Sequence, residues 1–130
     1  MRILVPIDGS DCSERALRFA AEMARRHEGD LRVVHITDVE TEATEMIMER
    51  AEEVLADEGV DSEPSVSIDV QLTFQGSGRI GKDIVKLATS QGFDHIVMGH
   101  HGAGAVDRLL LGSVAKTVIN AREVPVTIVP

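Results

Sequence analysis

Two glycine series in this chain have spacings with which a backbone can hold phosphate. The first is QGSGRIGK, residues 75–82, a literal G-x-G-x-x-G. The second is GHHGAGAVDRLLLGS, residues 99–113, with Gly99, Gly102 and Gly112 and then Ser113. Glycine lets a backbone amide approach an anion with no Cβ in the way, and the first amides of a helix are unpaired donors carrying partial positive charge. A dinucleotide fold places its G-x-G-x-x-G in the first strand-to-helix turn and an acid at the end of the next strand. Here the motif follows the third strand-like segment, and the next strand ends on Gly99-His100-His101, without a carboxylate. The first series therefore reads as a strand-to-helix turn. The second follows the Ile96-Val97-Met98 strand at its carboxyl end, where open α/β sheets bind ligands, and Ser113 opens a helix.

The remaining reactive side chains suggest less. Asp8 ends the first strand, a position for ligand contact as well as for bracing a turn. His100 and His101, with His95 nearby, invite a metal, but adjacent loop histidines lack chelating geometry and read better as added positive charge near phosphate. Arg108 either touches phosphate or pairs with Asp107. Cys12, the single cysteine, reads as a small inert residue, and His35 as a packed strand residue. Ser10 and Ser113 are hydroxyl nucleophiles without a base and orienter beside them in the sequence.

These residues must be positioned by alternating strands and helices. Arg2–Ile7 reads as a buried strand. A helix follows with Asp11-x-x-Glu14 as a capping box and an inner stripe of Ala16, Leu17, Ala20, Ala21 and Ala24, widened by Phe19 and Met23. Residues 31–36 form a second strand. Thr41 to Glu58 form a helix with Ala43, Ile47, Ala51, Val54 and Leu55 inward. Val66–Leu72 alternates with period two, as a strand near a sheet edge does. Ile80, Ile84, Leu87 and Ala88 mark a third helix, and residues 95–98 a fourth strand. Ser113 to Arg122 form a fourth helix with Val114, Ala115, Val118 and Ile119 inward, and residues 125–129 a last strand. The Leu109-Leu110-Leu111 run reads as core. This alternation implies right-handed crossovers and a doubly wound, five-stranded parallel sheet with helices on both faces.

At 130 residues the chain is expected to be a single domain, 1–130. Three Phe and no Trp or Tyr leave the interior to branched aliphatics and alanine, which suits strands buried on both faces. No apolar run reaches the ~18 residues of a membrane span, and a strand directly at the N-terminus is no signal peptide; a cytoplasmic location is expected. The net charge of −9 is concentrated between Asp38 and Glu63, where eleven acids face one base, Arg50. Such a face argues against nucleic acid as a partner. It reads as a solvated helix surface, with a high-salt adaptation as the alternative.

The spacing G-x-x-G-x(9)-G-[ST] of the second glycine series resembles the signature of ATP-binding universal stress proteins. Residues 3–10, 33–36, 96–99, 109–115 and 124–126 resemble the family's strands and binding half, so the likeness covers essentially the whole chain. It implies the adenine nucleotide alpha hydrolase-like fold with sheet order 3-2-1-4-5. It also implies a nucleotide pocket in which Pro6, Ile7 and Asp8 line the adenine and ribose, and Ile36 offers backbone to the adenine edge. Met98 and Gly99 would sit by the ribose, while Gly102, Gly112, Ser113 and Val114 would hold phosphates. His100-His101 and Gly104-Ala105 depart from the family's usual loop. The implied cofactor is ATP or another adenine nucleotide, with accompanying Mg2+ left open. The implied assembly is a homodimer through the C-terminal strand, with a protein partner unknown. The expected function is a nucleotide-responsive module in stress survival with at most slow hydrolysis. The alternatives are an ATPase or phosphotransferase using Ser113 or Ser10, and a nucleotide-free interaction protein whose acidic helix recruits a basic partner.

Overall fold

The computed structural model describes residues 1–72, 77–102 and 110–130. Gly76 of the first glycine series and Gly104, Ala105, Asp107, Arg108 and Leu109 of the second lie outside the described residues. The elements run β1 (Arg2–Pro6), α1 (Asp11–His27), β2 (Asp30–Thr37), α2 (Glu42–Glu58), β3 (Ser65–Ile68), α3 (Ser77–Ser90), β4 (His95–Gly99), α4 (Ser113–Ala121) and β5 (Val126–Val129). The five strands form one sheet in the order β3-β2-β1-β4-β5, and every pairing is parallel.

Period-two alternation divides the core between the two faces of the sheet. Ile3, Val5 and Val97 pack with Ala16, Leu17, Val54 and Leu55, so this face is covered by α1 and α2. Leu4, Ile96 and Met98 pack with Ile84, Ala88, Ala115 and Val118, so α3 and α4 cover the other. β1 pairs with β2 through to Pro6–Val34, whereas its recorded register with β4 covers only Ile3–His95 and Leu4–Ile96. Beyond Leu4 the two central strands part at their carboxyl ends.

Several local expectations are corrected. Ser10, not Asp11, caps α1, its hydroxyl accepting from the Ser13 amide at 3.2 Å. Asp11 and Glu14 instead place negative charge in the first turn, where the helix dipole favours it. β3 stops at Ile68 rather than Leu72, because the Asp69 carboxylate accepts from the Gln71 amide at 3.0 Å and turns the chain. On α2, Thr44 is buried in place of Ala43, and its hydroxyl accepts the Thr41 amide at 3.1 Å. Phe19 (44%), Leu110 (61%) and Ile119 (39%) are exposed rather than core. Phe93 is buried, with the Arg2 guanidinium 4.6 Å from its ring centre.

The first glycine series has its explanation in helix packing. Gly78 and Gly81 lie within α3. A Cβ at Gly81 would stand 2.6 Å from Cβ of Thr117 and 3.2 Å from the Val114 carbonyl oxygen, both on α4, while one at Gly78 would meet nothing within 4 Å. Gly81 is therefore the close-approach point of α3 and α4. Gly81→Leu is expected to cost about 1–3 kcal/mol by overpacking, and Gly78→Ala to gain about 0.4–1 kcal/mol by restricting the unfolded chain. Urea denaturation of both variants checks this opposite pair of signs.

Candidate functional site

The parting of β1 and β4 opens a cavity of about 410 Å³ at the carboxyl end of the sheet. β1 and the turn after it contribute Pro6, Ile7 and Asp8, β2 contributes Ile36, and β4 contributes Met98 and Gly99. Gly102 comes from the loop beyond β4, and Gly112, Ser113 and Val114 from the start of α4. All ten residues singled out in the sequence thus line one cavity. Ile80 and Ile84 of α3 also line it, as do Ser13, His101 and Ala115. The two isoleucines were missed as lining residues. Their inward spacing on the third helix was legible, but sequence alone does not show that this helix flanks the cleft.

The Asp8 carboxylate forms one part of the lining. Its Oδ1 accepts from the Ser10 amide at 2.9 Å and from the Ser10 hydroxyl at 2.5 Å. A Cβ on Gly102 would come within 3.2 Å of Oδ2, a tight contact that glycine avoids where the loop passes the acid. The end of β1 is braced from behind: the Ile7 amide donates to the Val34 carbonyl at 2.8 Å, and the His35 Nδ1–H donates to the Ile7 carbonyl at 2.8 Å. His35 is therefore a bracing strand residue.

The start of α4 forms another part of the lining. Its N-cap is Gly112, which has no side chain to offer, and its first intrahelical bond runs from the Lys116 amide to the Gly112 carbonyl at 3.0 Å. The amides of Ser113, Val114 and Ala115 precede that bond and so have no carbonyl within the helix. All three residues line the cavity. The Gly112 amide donates to the His100 carbonyl at 2.8 Å, and the His100 amide to the Val129 carbonyl at 2.8 Å, so the loop after β4 is held to both α4 and β5.

The glycines at 99 and 112 are close-approach points of this chain's own backbone. A Cβ at Gly99 would lie 2.7 Å from Cys12 Sγ and 3.0 Å from the Cys12 and Ser13 backbone; one at Gly112 would lie 3.0 Å from His101 Cα. Both glycines thus let backbone segments of this chain close on one another around the cavity. Cys12 is buried, and its thiol donates to the His101 carbonyl at 2.8 Å, a structural role. Among the described residues no group of three His, Cys, Asp or Glu is placed to hold a metal ion, and no helix is long and apolar enough to cross a membrane.

The arrangement is that of a doubly wound α/β protein with a cleft at the point where strand order reverses. The sequence pattern defining the universal stress protein family matches residues 1–130, and the chain belongs to that family. It is 34% identical to a universal stress protein of Thermus aquaticus, over 98% of this chain and 96% of that protein. It is 31% identical to one from Methanocaldococcus jannaschii, over 98% of this chain and 81% of the other. A universal stress protein from Archaeoglobus fulgidus, solved in complex with dAMP, superposes with a TM-score of 0.76 at 28% identity, covering 100% of this chain and 98% of its own.

The wall formed by α3 carries a titratable tie. Arg79 Nε donates to Asp69 Oδ2 at 2.8 Å and lies 3.6 Å from Asp83 Oδ1, linking α3 to the end of β3. The Arg79 hydrogen bond holds the Asp69 carboxyl down at about 2. Burial, and then the neighbouring Asp69, push Asp83 up to about 6, and Asp83 Oδ2 is buried without a hydrogen-bond partner among the described residues. Asp83 holds its proton more tightly folded than unfolded, where its value is 3.8. Its contribution to stability is complete below the unfolded value and is lost as pH rises through about 6. Asp69 works in the opposite sense: its contribution is present above 3.8 and lost as pH falls through about 2. Asp83→Asn is expected to raise stability by about 1–2 kcal/mol near pH ~7.5 and to change little near pH ~4. Thermal melts at both pH values test this, and an equal gain at both would exclude titration of Asp83 as its cause.

Proposed function

We propose that the cleft binds an adenine nucleotide, ATP foremost, and that the protein is a nucleotide-responsive module of the cytoplasmic stress response. The observation that carries this reading is the mixture of chemistry gathered on one lining. A carboxylate acceptor, Asp8, and the helix start at Ser113, Val114 and Ala115 share the cavity with apolar walls of Ile36, Ile80, Ile84 and Met98. Ribose hydroxyls donate hydrogen bonds and suit a carboxylate. Phosphate oxygens accept and suit amides at a helix N-terminus, where each charged bond contributes roughly 1.5–3 kcal/mol. A purine suits the aliphatic walls. The volume of about 410 Å³ is that of a small-molecule site. The dAMP complex of the Archaeoglobus relative supports the choice of adenine.

Asp8 is the carboxylate on the described lining. An accompanying Mg2+ would therefore be held mainly by phosphate oxygens and water, as this ion usually is. Hydrolysis is at most slow. The described lining offers Asp8, already accepting from Ser10, and His101 as titratable groups, and phosphoryl transfer needs a residue that positions the attacking water.

Denaturing the purified protein should release an adenine nucleotide identifiable by mass spectrometry, or else the emptied protein should bind added ATP in calorimetry. Gly112→Val should weaken ATP by roughly tenfold or more by displacing the loop at His101, and Gly78→Ala should leave it unchanged. Equal affinity in all three proteins would refute this seat. The proposal includes a two-fold homodimer through β5, which forms one edge of the sheet and carries three apolar residues, Val126, Ile128 and Val129. Such an edge is prone to pair. Sedimentation at micromolar concentration should give a dimer, and a monomer there refutes that part alone.

A further inference from the structure

A second cavity, of about 400 Å³, lies on the opposite face of β1 from the cleft, between α1 and α2. Its lining includes Ile7, Leu17, Ile47, Ala51 and Val54. Its outer lip carries two exposed residues, Ala43 and Met46, the latter 69% exposed. On α2 the lining residues 43, 46, 47, 50, 51 and 54 recur at helical spacing, so the groove runs along this helix. Met46 thus extends the apolar surface of the groove out to its rim. Methionine in particular adapts to varied apolar partners.

The charge around this lip says what covers it. Glu42, Glu49 and Glu53 lie four, three and seven residues from Met46 and so share its side of the helix. They belong to the stretch that holds eleven acids and one base. That base, Arg50, lines the groove, but its guanidinium is held by Glu14 at 2.8 Å and Glu53 at 2.9 Å. Arg18 and Arg25, the neighbouring cations on α1, are likewise taken by Glu58. The apolar groove therefore has an acidic border whose nearby cations are engaged in ion pairs.

We propose that the groove between α1 and α2 docks a basic amphipathic helix of a partner protein, with an apolar side chain seated between Ala43, Met46 and Ile47 and lysines or arginines against the acids of α2. This is the helix-in-groove mode of recognition, with the surface charges setting partner choice and association rate. The proposal does not depend on what fills the cleft, and the test uses protein freed of any small molecule.

The probe is a short fluorescein-labelled peptide of leucine and lysine patterned as an amphipathic helix, followed by anisotropy. It should bind in the micromolar range. A peptide of the same charge with serine in place of leucine should bind roughly tenfold or more weakly. Ala43→Arg and Met46→Lys change exposed positions, so both variants should melt like the parent yet lose roughly tenfold or more in affinity. Equal binding of the leucine and serine peptides would show charge attraction alone and overturn the proposal, as would unchanged affinity in both variants. Sedimentation showing that Met46→Lys dissociates an assembly of this chain would assign the groove to a second copy instead.

Discussion

The structure depends on the short register between β1 and β4. With β2 and β3 on one side of β1, and β4 and β5 on the other, the connections that leave β1 and β4 run in opposite directions, and the β3–α3–β4 connection crosses back from one half to the other. The recorded pairing of β1 with β4 ends at Leu4–Ile96. From there the strands separate and their carboxyl ends open a crevice. The position of the cleft follows from strand order. The lining then combines an acid just past β1, aliphatics from β2, β4 and α3, and the glycine-capped start of α4.

Glycine use follows from the same constraint. Gly99 ends β4 where α1 begins, and its missing Cβ admits the Cys12 backbone at 3.0 Å; Gly112 admits His101 in the same way. Helix start, strand end and loop therefore converge more closely than residues with side chains could. The spacing that resembles a phosphate-binding signature is thus also a packing signature. This dual use explains why a motif can be specific in its spacing while the individual glycines face protein rather than open cavity. Gly81 makes the contrast: it belongs to a better-known motif, yet it faces Thr117 and α4.

Much of this was legible in the sequence because aliphatic runs bounded by Gly, Asp and Ser leave few alternatives. The alternation of strands and helices, the sheet order and the gathering of Pro6, Asp8, Ile36, Met98 and the second glycine series at one cavity all followed from pattern and resemblance. The errors fall where a local hydrogen bond outweighs periodicity. Period two continued to Leu72, but the Asp69 side chain bonded the Gln71 amide and ended β3. The capping box pattern pointed to Asp11, but the Ser10 hydroxyl had the geometry to reach the Ser13 amide. Phe19 and Ile119 matched helical stripes, yet each lies at a stripe's edge and stays half outside. Ile80 and Ile84 as cleft walls were beyond reach, because inter-element distance is not written in any one segment.

The end of β1 stands between two concavities. Ile7, Asp8 and Ser13 line both the cleft on the α3–α4 side and the groove on the α1–α2 side. Ile7 is fixed by its amide and carbonyl bonds to Val34 and His35, and Asp8 by its bonds from Ser10. These bonds join this segment and the cap of α1 into one hydrogen-bonded body. Whatever occupies either concavity bears on it from one side. Two ligands that each prefer one position of that body must alter each other's affinity by the same factor, in whichever direction their preferences combine.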